Sequence, residues 1–127
     1  MILYMCKSKI HQATVTEADL HYEGSVTIDS TLMKAARILP YERIQILNLN
    51  NGNRIETYVI EGKPDTGVVC LNGPTARTAH VGDVVILITY ALMEEKEAKS
   101  YKPTIVYVNE RNRQRFPKKI KASLNAK

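Results

Sequence analysis

The sequence is poor in the residues that mark several common protein classes. It has no tryptophan, one phenylalanine and two cysteines among 127 residues. Cys6 and Cys70 lie far apart and neither belongs to a Cys-x-x-Cys pair, so the sequence predicts neither a disulfide framework nor a zinc finger. Free cysteines of this kind are typical of a reducing compartment.

Long apolar segments are missing as well. The apolar run that begins at Met1 stops at Lys7, which is too short for the hydrophobic region of a signal peptide. The longest apolar stretch, residues 84–93, is far shorter than the ~20 residues that a membrane-spanning helix needs. We therefore expect a cytoplasmic protein that does not bind a membrane.

The short motifs of several enzyme classes do not occur. His11, His21 and His80 lack the spacing of metal ligands and there is no HExxH, so no metal site is expected. Neither GxxxxGK[ST] nor GxGxxG is present, which argues against a glycine loop that binds phosphate. The absence of GxSxG argues against a serine hydrolase of the α/β type.

Positive charge is in excess, and it is concentrated at one end of the chain. The formal net charge is +5. From residue 110 onward seven basic residues accompany one acidic residue, so this segment carries +6 and residues 1–109 carry −1. Apolar periodicity also fades after residue 109. We predict one domain over residues 1–109 and a flexible basic extension over residues 110–127.

Strand patterns dominate the predicted domain. Short runs rich in β-branched residues occupy residues 10–16, 44–49, 54–60, 68–71, 84–88 and 104–108. The sequence Asn50-Asn51-Gly52-Asn53 predicts a β-hairpin. One helix is predicted from an N-cap at Asp29 or Ser30 to Pro40, and a weaker one over residues 91–99. The fold class is therefore mainly β, a barrel or sandwich with short helices.

Longer segments carry a family resemblance. The sequence resembles the aspartate 1-decarboxylase family over residues 1–109, through Lys7-Ser8-Lys9-Ile10-His11, Ala13-Thr14-Val15-Thr16, the segment Asp19–Asp29, Asn51-Gly52-Asn53-Arg54, Thr57-Tyr58, Leu71-Asn72-Gly73, Ala76-Arg77, Gly82-Asp83 and Tyr101-Lys102-Pro103. The resemblance implies a double-psi β-barrel that assembles as a homotetramer. It also implies decarboxylation of L-aspartate to β-alanine, a step of pantothenate synthesis.

The resemblance further implies a cofactor made from the chain itself. Loss of carbon dioxide from an amino acid needs an electron sink, and no side chain contains a ketone. Gly24-Ser25 matches the family's self-cleavage site, where the Ser25 hydroxyl attacks the Gly24 carbonyl and Ser25 becomes a pyruvoyl group. Gly24 is expected to allow strained backbone angles there. Cleavage would give fragments 1–24 and 25–127, and a separate maturation factor could assist it.

Other roles come from the same resemblance. Thr57 and Asn72 would assist cleavage, and the Tyr58 hydroxyl would donate a proton to the α-carbon of the substrate. The residues implied in substrate binding are Lys9, Arg54, Thr57, Gly73, Pro74 and Thr75.

Strand geometry bears on these roles, and so do two positions at which the sequence differs from the common family pattern. Strand alternation predicts that Arg54 and Tyr58 share one face and that Thr57 points to the other. Gln12 stands where the family commonly has arginine, and Pro74-Thr75 stands where it commonly has Ala-Ala. Pro74 removes one backbone donor from the substrate turn.

Two other hypotheses fit parts of the sequence. The chain could be a homologue that no longer cleaves itself, although Gly24-Ser25, Thr57 and Tyr58 are all present. It could instead be a barrel whose basic extension binds nucleic acid. The nearly neutral body and the single aromatic residue of the extension, Phe116, argue against base stacking, so no nucleic-acid partner is expected.

Overall fold

Alternating apolar residues build most of the structure, a computed structural model that describes residues 1–117. The strands and helices, in chain order, are β1 (Ile2–Thr14), β2 (Glu17–Asp19), β3 (Ser25–Asp29), α1 (Ser30–Ala36), β4 (Arg43–Asn48), β5 (Arg54–Gly62), β6 (Val69–Asn72), a 3₁₀ helix (Gly73–Arg77), β7 (Val84–Glu94), α2 (Glu95–Ala98), β8 (Thr104–Val108) and β9 (Gln114–Arg115). Strand β4 shows the alternation, because Ile44 and Ile46 are buried while Arg43 is exposed. The predicted hairpin between β4 and β5 is confirmed.

The strands form one sheet in the order β2-β6-β3-β5-β4-β7-β1-β8-β9. Three neighbouring pairs are parallel: β2 with β6, β3 with β5, and β1 with β8. Ile10 of β1 and Val26 of β3 are both fully buried in one apolar core, although four strand-to-strand steps separate them in the sheet. The sheet therefore curls around its core as a small β-barrel, and the predicted fold class is confirmed.

The first helix begins where the sequence predicts. The Asp29 carboxylate caps it by accepting a hydrogen bond from the Thr31 backbone N–H at 2.8 Å. The same buried carboxylate accepts from the backbone N–H groups of Asp65 and Gly67, so it also fixes the loop between β5 and β6. The helix ends at Ala36, because Arg37 adopts a left-handed conformation before Pro40 is reached.

The second predicted helix is mostly wrong. Residues 91–94 continue β7, because cross-strand pairs such as Leu3 with Met93 extend the ladder between β1 and β7. Only Glu95–Ala98 is helical. The run of glutamates suggested a helix, but long-range strand pairing outweighs that local preference.

The predicted domain boundary at residue 109 falls inside a packed turn. The Asn112 side chain is buried, accepts a hydrogen bond from the Thr14 backbone N–H at 2.7 Å, and donates to the carbonyl oxygens of Thr14 and Gly67. Strand β9 then pairs with β8. The packed part of the chain thus extends to Arg115, and residues 118–127 of the predicted extension lie outside the described residues. Within residues 1–117, no helix is long and apolar enough to cross a membrane.

Candidate active site

Ser25 is fully buried at the start of β3 and its hydroxyl is held from two sides. Oγ donates a hydrogen bond to the Glu23 carbonyl oxygen at 2.8 Å and accepts one from Asn72 Nδ2 at 3.0 Å. A serine hydroxyl has one proton and two lone pairs. The two contacts use the proton and one lone pair, which leaves the second lone pair for bond formation.

Asn72 lies opposite Ser25 because β3 and β6 pair in antiparallel register. Its second amide proton reaches Thr27 Oγ1 at 3.0 Å, since Thr27 follows Ser25 on the same face of β3. The side-chain oxygen of Asn72, Oδ1, accepts a hydrogen bond from the Cys70 thiol at 3.2 Å. Every polar atom of this buried amide therefore has a partner.

Gly73 brings the chain after β6 into contact with the predicted cleavage site. Its φ is +64°, and a Cβ at this position would lie 2.9 Å from the Gly24 Cα, the Gly24 nitrogen and the Tyr22 carbonyl oxygen. Gly24 itself has no positive φ, and a Cβ there would only contact the Pro74 ring at 3.3 Å. The left-handed backbone angle at this site is therefore adopted by Gly73 and not by Gly24.

Thr75 is directed at the backbone of the same site. Its hydroxyl lies 3.2 Å from the backbone carbonyl oxygen of Ser25 and 2.8 Å from the backbone carbonyl oxygen of Asn72. It is buried in the 3₁₀ helix that covers Ser25. The structure therefore places Gly73, Pro74 and Thr75, predicted as a substrate turn, around the Gly24-Ser25 peptide.

Tyr58 lies on β5, the strand that runs beside Ser25. The parallel register pairs Val26 with Val59, and one step earlier in both strands it sets Ser25 beside Tyr58. In-register residues of adjacent strands point to the same face. The Tyr58 ring packs against Tyr41 with centroids 6.3 Å apart. Thr57 is half-buried, and strand alternation directs its side chain to the opposite face of β5.

Arg54 lies on the same face of β5 as Tyr58, about 13 Å along the strand at ~3.3 Å per residue. Its Nη1 donates to Gln45 Oε1 at 2.6 Å. The nearby Glu56 carboxylate is engaged by Arg43 at 2.8 Å. Arg54 thus contacts a neutral amide there, which leaves its charge available to an anion.

A surface groove of about 520 Å³ surrounds Arg54 on the outer face of the barrel. Its walls come from β1, β4, β5 and β7: Tyr4, Arg43, Ile44, Gln45, Arg54, Glu56, Ile88 and Tyr90. Neither Ser25 nor Tyr58 lines it. The groove is therefore adjacent to the predicted cleavage site and separate from it.

Lys9 is the predicted site residue that the single chain leaves far from the others. It is in register with Ile88 of β7, which is in register with Gln45 of β4, which in turn faces Glu56 of β5. Three strand spacings of ~4.8 Å separate Lys9 from β5 by about 14 Å. Side chains diverge on the outside of a curled sheet, so Lys9 does not reach Tyr58.

Neighbours of these residues have shifted pKa values. Burial raises the pKa of the Cys70 thiol, and the nearby carboxylates of Glu17 and Asp19 raise it further. Burial also lowers the pKa of His11, with additional effects from the positive charges of Lys9 and Arg115. Cys70 is therefore a protonated donor at neutral pH, and His11 is held toward its neutral form.

Sequence reasoning missed Cys70 and Thr27, which complete the hydrogen bonds of Asn72. The alternation of Ser25 and Thr27 was a visible signal that both side chains share a face. The signal that joins Cys70 to them is the register of β3 with β6, and no local pattern encodes that register.

Comparison with known proteins gives a consistent result. The family model for aspartate decarboxylase matches residues 1–115. A protein of Thermoanaerobacter pseudethanolicus named aspartate 1-decarboxylase is 54% identical over 110 residues, which cover 87% of this chain and 94% of that protein. The proteins of that name from Clostridium beijerinckii and Lactiplantibacillus plantarum are each 59% identical, covering 88% and 89% of this chain and 90% and 87% of their own lengths.

Proposed function

Because this chain belongs to the aspartate decarboxylase family, we propose that it decarboxylates L-aspartate to β-alanine after cleaving its own backbone between Gly24 and Ser25. The observation that carries the proposal is the Ser25 hydroxyl, which is fully buried and oriented by two hydrogen bonds beside the Gly24 carbonyl. A buried serine with a free lone pair next to a glycine peptide is suited to attack its own chain.

The proposed cleavage proceeds through an ester. Oγ of Ser25 adds to the Gly24 carbonyl carbon, and the Gly24-Ser25 C–N bond then breaks while the hydroxyl proton passes to the nitrogen, so the acyl group moves from nitrogen to oxygen. The Cα proton of Ser25 next passes to water and the Cβ–Oγ bond breaks, so the Gly24 carboxylate leaves. Hydrolysis finally replaces the nitrogen of residue 25 with the oxygen of water and releases that nitrogen as ammonia. A pyruvoyl group is left at position 25.

The residues around Ser25 fit such a group. Gly73 leaves room against the Gly24 backbone that a Cβ would fill, and Thr75 lies within 3.2 Å of the Ser25 carbonyl oxygen. The pyruvoyl group supplies the electron-accepting ketone that no side chain has. The Arg54 guanidinium binds a carboxylate of aspartate with two parallel hydrogen bonds. The Tyr58 hydroxyl, on the strand beside Ser25, delivers a proton to the α-carbon.

The cleaved chain is expected to keep its fold. Strand β1, which lies in the 1–24 fragment, is paired with β7 on one side and β8 on the other, and Asn112 binds the Thr14 backbone. Backbone pairing on both edges holds a strand without a covalent link. The short fragment should therefore stay bound to residues 25–127.

We place the complete substrate site at a subunit interface of a homotetramer. The position of Lys9, three strands from β5 within one chain, supports this arrangement. A second chain whose β1 approaches the outer face of β5 would bring its Lys9 toward Arg54. Sedimentation of the processed protein should give four times the protomer mass, and an active monomer at assay concentration would contradict the interface site.

Denaturing mass spectrometry tests the cleavage. The purified chain, incubated warm, should convert to fragments 1–24 and 25–127, the larger one blocked by pyruvoyl. Ser25→Ala lacks the attacking oxygen and should stay intact, whereas Ser8→Ala removes another buried hydroxyl and should still cleave. A wild-type chain that stays intact, or that cleaves without forming β-alanine from aspartate, would contradict the proposal. The first outcome would favour a non-processing homologue.

A further inference from the structure

We propose that Cys70 is a positioning residue for self-cleavage, because its thiol sets the orientation of the Asn72 amide toward Ser25. The inference rests on the proposed self-cleavage. The Cys70 Sγ–H donates to Asn72 Oδ1 at 3.2 Å, on the side of the amide away from Ser25. With Oδ1 engaged there, the two Nδ2 protons face Ser25 Oγ and Thr27 Oγ1, each at 3.0 Å.

The amide of Asn72 has two arrangements of nearly the same shape. In the arrangement described above, every donor meets an acceptor: thiol to Oδ1, and Nδ2 to two hydroxyl oxygens. In the reversed arrangement, Nδ2 faces sulfur, which is a weak acceptor, and Oδ1 faces Ser25. The Cys70 proton therefore decides which atom of Asn72 meets the attacking oxygen.

The surroundings of Cys70 keep this proton on sulfur. The side chain is buried in β6, with Glu17 and Asp19 of β2 on one side and Thr27 of β3 on the other. The two carboxylates and the burial both disfavour a thiolate. The backbone of Asp19 lowers the pKa of the thiol, but this is the smallest of the four effects and the pKa of Cys70 stays raised.

The orientation of the Asn72 amide matters most in the elimination step, in which the Cβ–Oγ bond of Ser25 breaks. When the Cβ–Oγ bond of Ser25 breaks, both bonding electrons go to Oγ, which becomes part of the Gly24 carboxylate. An Nδ2–H of Asn72 aimed at Oγ stabilises that developing negative charge. A reversed amide would present Oδ1, whose partial negative charge opposes the step. Cys70 acts through Asn72 in this arrangement.

The test measures self-cleavage of the full chain at 37 °C by denaturing mass spectrometry in four proteins: wild type, Cys70→Ala, Cys70→Ser and Cys6→Ala. Cys70→Ala removes the donor and should cleave about tenfold more slowly, the effect of one lost hydrogen bond. Cys70→Ser differs from it by one hydroxyl and should recover most of the wild-type rate. Cys6, the other free cysteine, lies on β1, so Cys6→Ala should match wild type.

Other outcomes separate the hypotheses. Equal rates for Cys70→Ala and wild type, or a Cys70→Ser protein as slow as Cys70→Ala, would overturn the role of the thiol while leaving the proposed function intact. A wild-type chain that does not cleave would overturn both. Should Cys70→Ala not fold, Cys70→Val fills the site without a donor and takes its place. Once cleavage is complete, Cys70→Ala should show the wild-type KM for aspartate, which a general packing defect would change.

Discussion

The predicted cleavage site at Ser25 and the surface groove around Arg54 share the outer side of one barrel but are built in opposite ways. Around Ser25, the side chains of Asn72 and Thr75 are buried and fully hydrogen-bonded within the chain. Around Arg54, side chains are exposed and hold one another through Gln45 and Glu56 at the surface. The two regions meet at β5, where Tyr58 stands beside Ser25.

This difference indicates which chemistry a single chain can perform. A buried, fully satisfied cluster is rigid, and rigidity is what positions an oxygen for attack on its own backbone. An exposed arginine is costly to hold in one geometry and gains selectivity only when the site is closed from water. Cleavage should therefore depend on residues inside one protomer, and turnover should depend on groups that assembly brings together.

The largest expected effect separates the two chemistries at Tyr58. Tyr58→Phe keeps the ring that packs against Tyr41 but removes the phenolic proton, so turnover of aspartate should fall by ~10²–10⁴-fold, as for a lost general acid. Cleavage of the Gly24-Ser25 bond should proceed at the wild-type rate, measured by mass spectrometry. Tyr41→Phe removes the hydroxyl of the neighbouring ring and should leave both rates unchanged. Full turnover by processed Tyr58→Phe protein would end the proton-donor assignment.

The next effect concerns the close contact at Gly73. Gly73→Ala places a methyl group 2.9 Å from the Gly24 backbone and should displace the scissile peptide, slowing cleavage by up to about 10²-fold. Gly52→Ala is the matched control, since Gly52 also has a positive φ, +78°, but nothing within 4 Å. Both variants carry the same type of backbone strain, ~1–2 kcal/mol. Similar cleavage rates in the two proteins would show that the contact of Gly73 with the Gly24 backbone does not control the step.

These contrasts also show what the sequence could predict. The hairpin from β4 to β5 was predictable because Asn-Gly chemistry and strand alternation are local, and the same alternation set Arg54 and Tyr58 on one face. The hydrogen bonds of Asn72 were not, because they depend on the register of two strands more than forty residues apart. Asn112 was missed for the same reason, since its partners are residues 14 and 67. Lys9 was assigned by resemblance, and only the sheet order reveals its distance from β5.

A smaller effect, on the KM for aspartate, is expected from Arg54 in the surface groove. Arg54→Lys keeps the charge but loses the planar pair of donors, so the KM for aspartate should rise by about tenfold with cleavage unchanged. Arg43→Lys makes the same substitution in the arginine that is already paired with Glu56, and its KM should stay near wild type. Steady-state kinetics on fully processed proteins provide the measurement. Equal KM changes in the two variants would mean that the groove contributes only net charge.

The smallest expected effect concerns the stability of the β4–β5 hairpin, which carries Arg54, and not the chemistry at Ser25 or at Arg54. Asp83 anchors the turn of the β4–β5 hairpin by accepting hydrogen bonds from the His80 backbone N–H at 2.9 Å and from Asn48 Nδ2 at 2.8 Å. These two bonds lower the pKa of the Asp83 carboxyl below its ordinary value of 3.8.

A carboxyl with a lowered pKa in the folded state adds stability above its unfolded pKa and loses that contribution as the pH falls through the folded value. The Tm of the wild type should therefore fall more steeply below pH 3.8 than the Tm of Asp83→Asn, which has no charge to lose. Cleavage and turnover at neutral pH should be nearly the same in both proteins, because Asp83 contacts neither Ser25 nor Arg54. Parallel Tm curves in acid would show that the hairpin anchor is insensitive to the charge. A loss of cleavage in Asp83→Asn would show that the two regions are coupled through the barrel, contrary to the independence that their separate hydrogen bonds indicate.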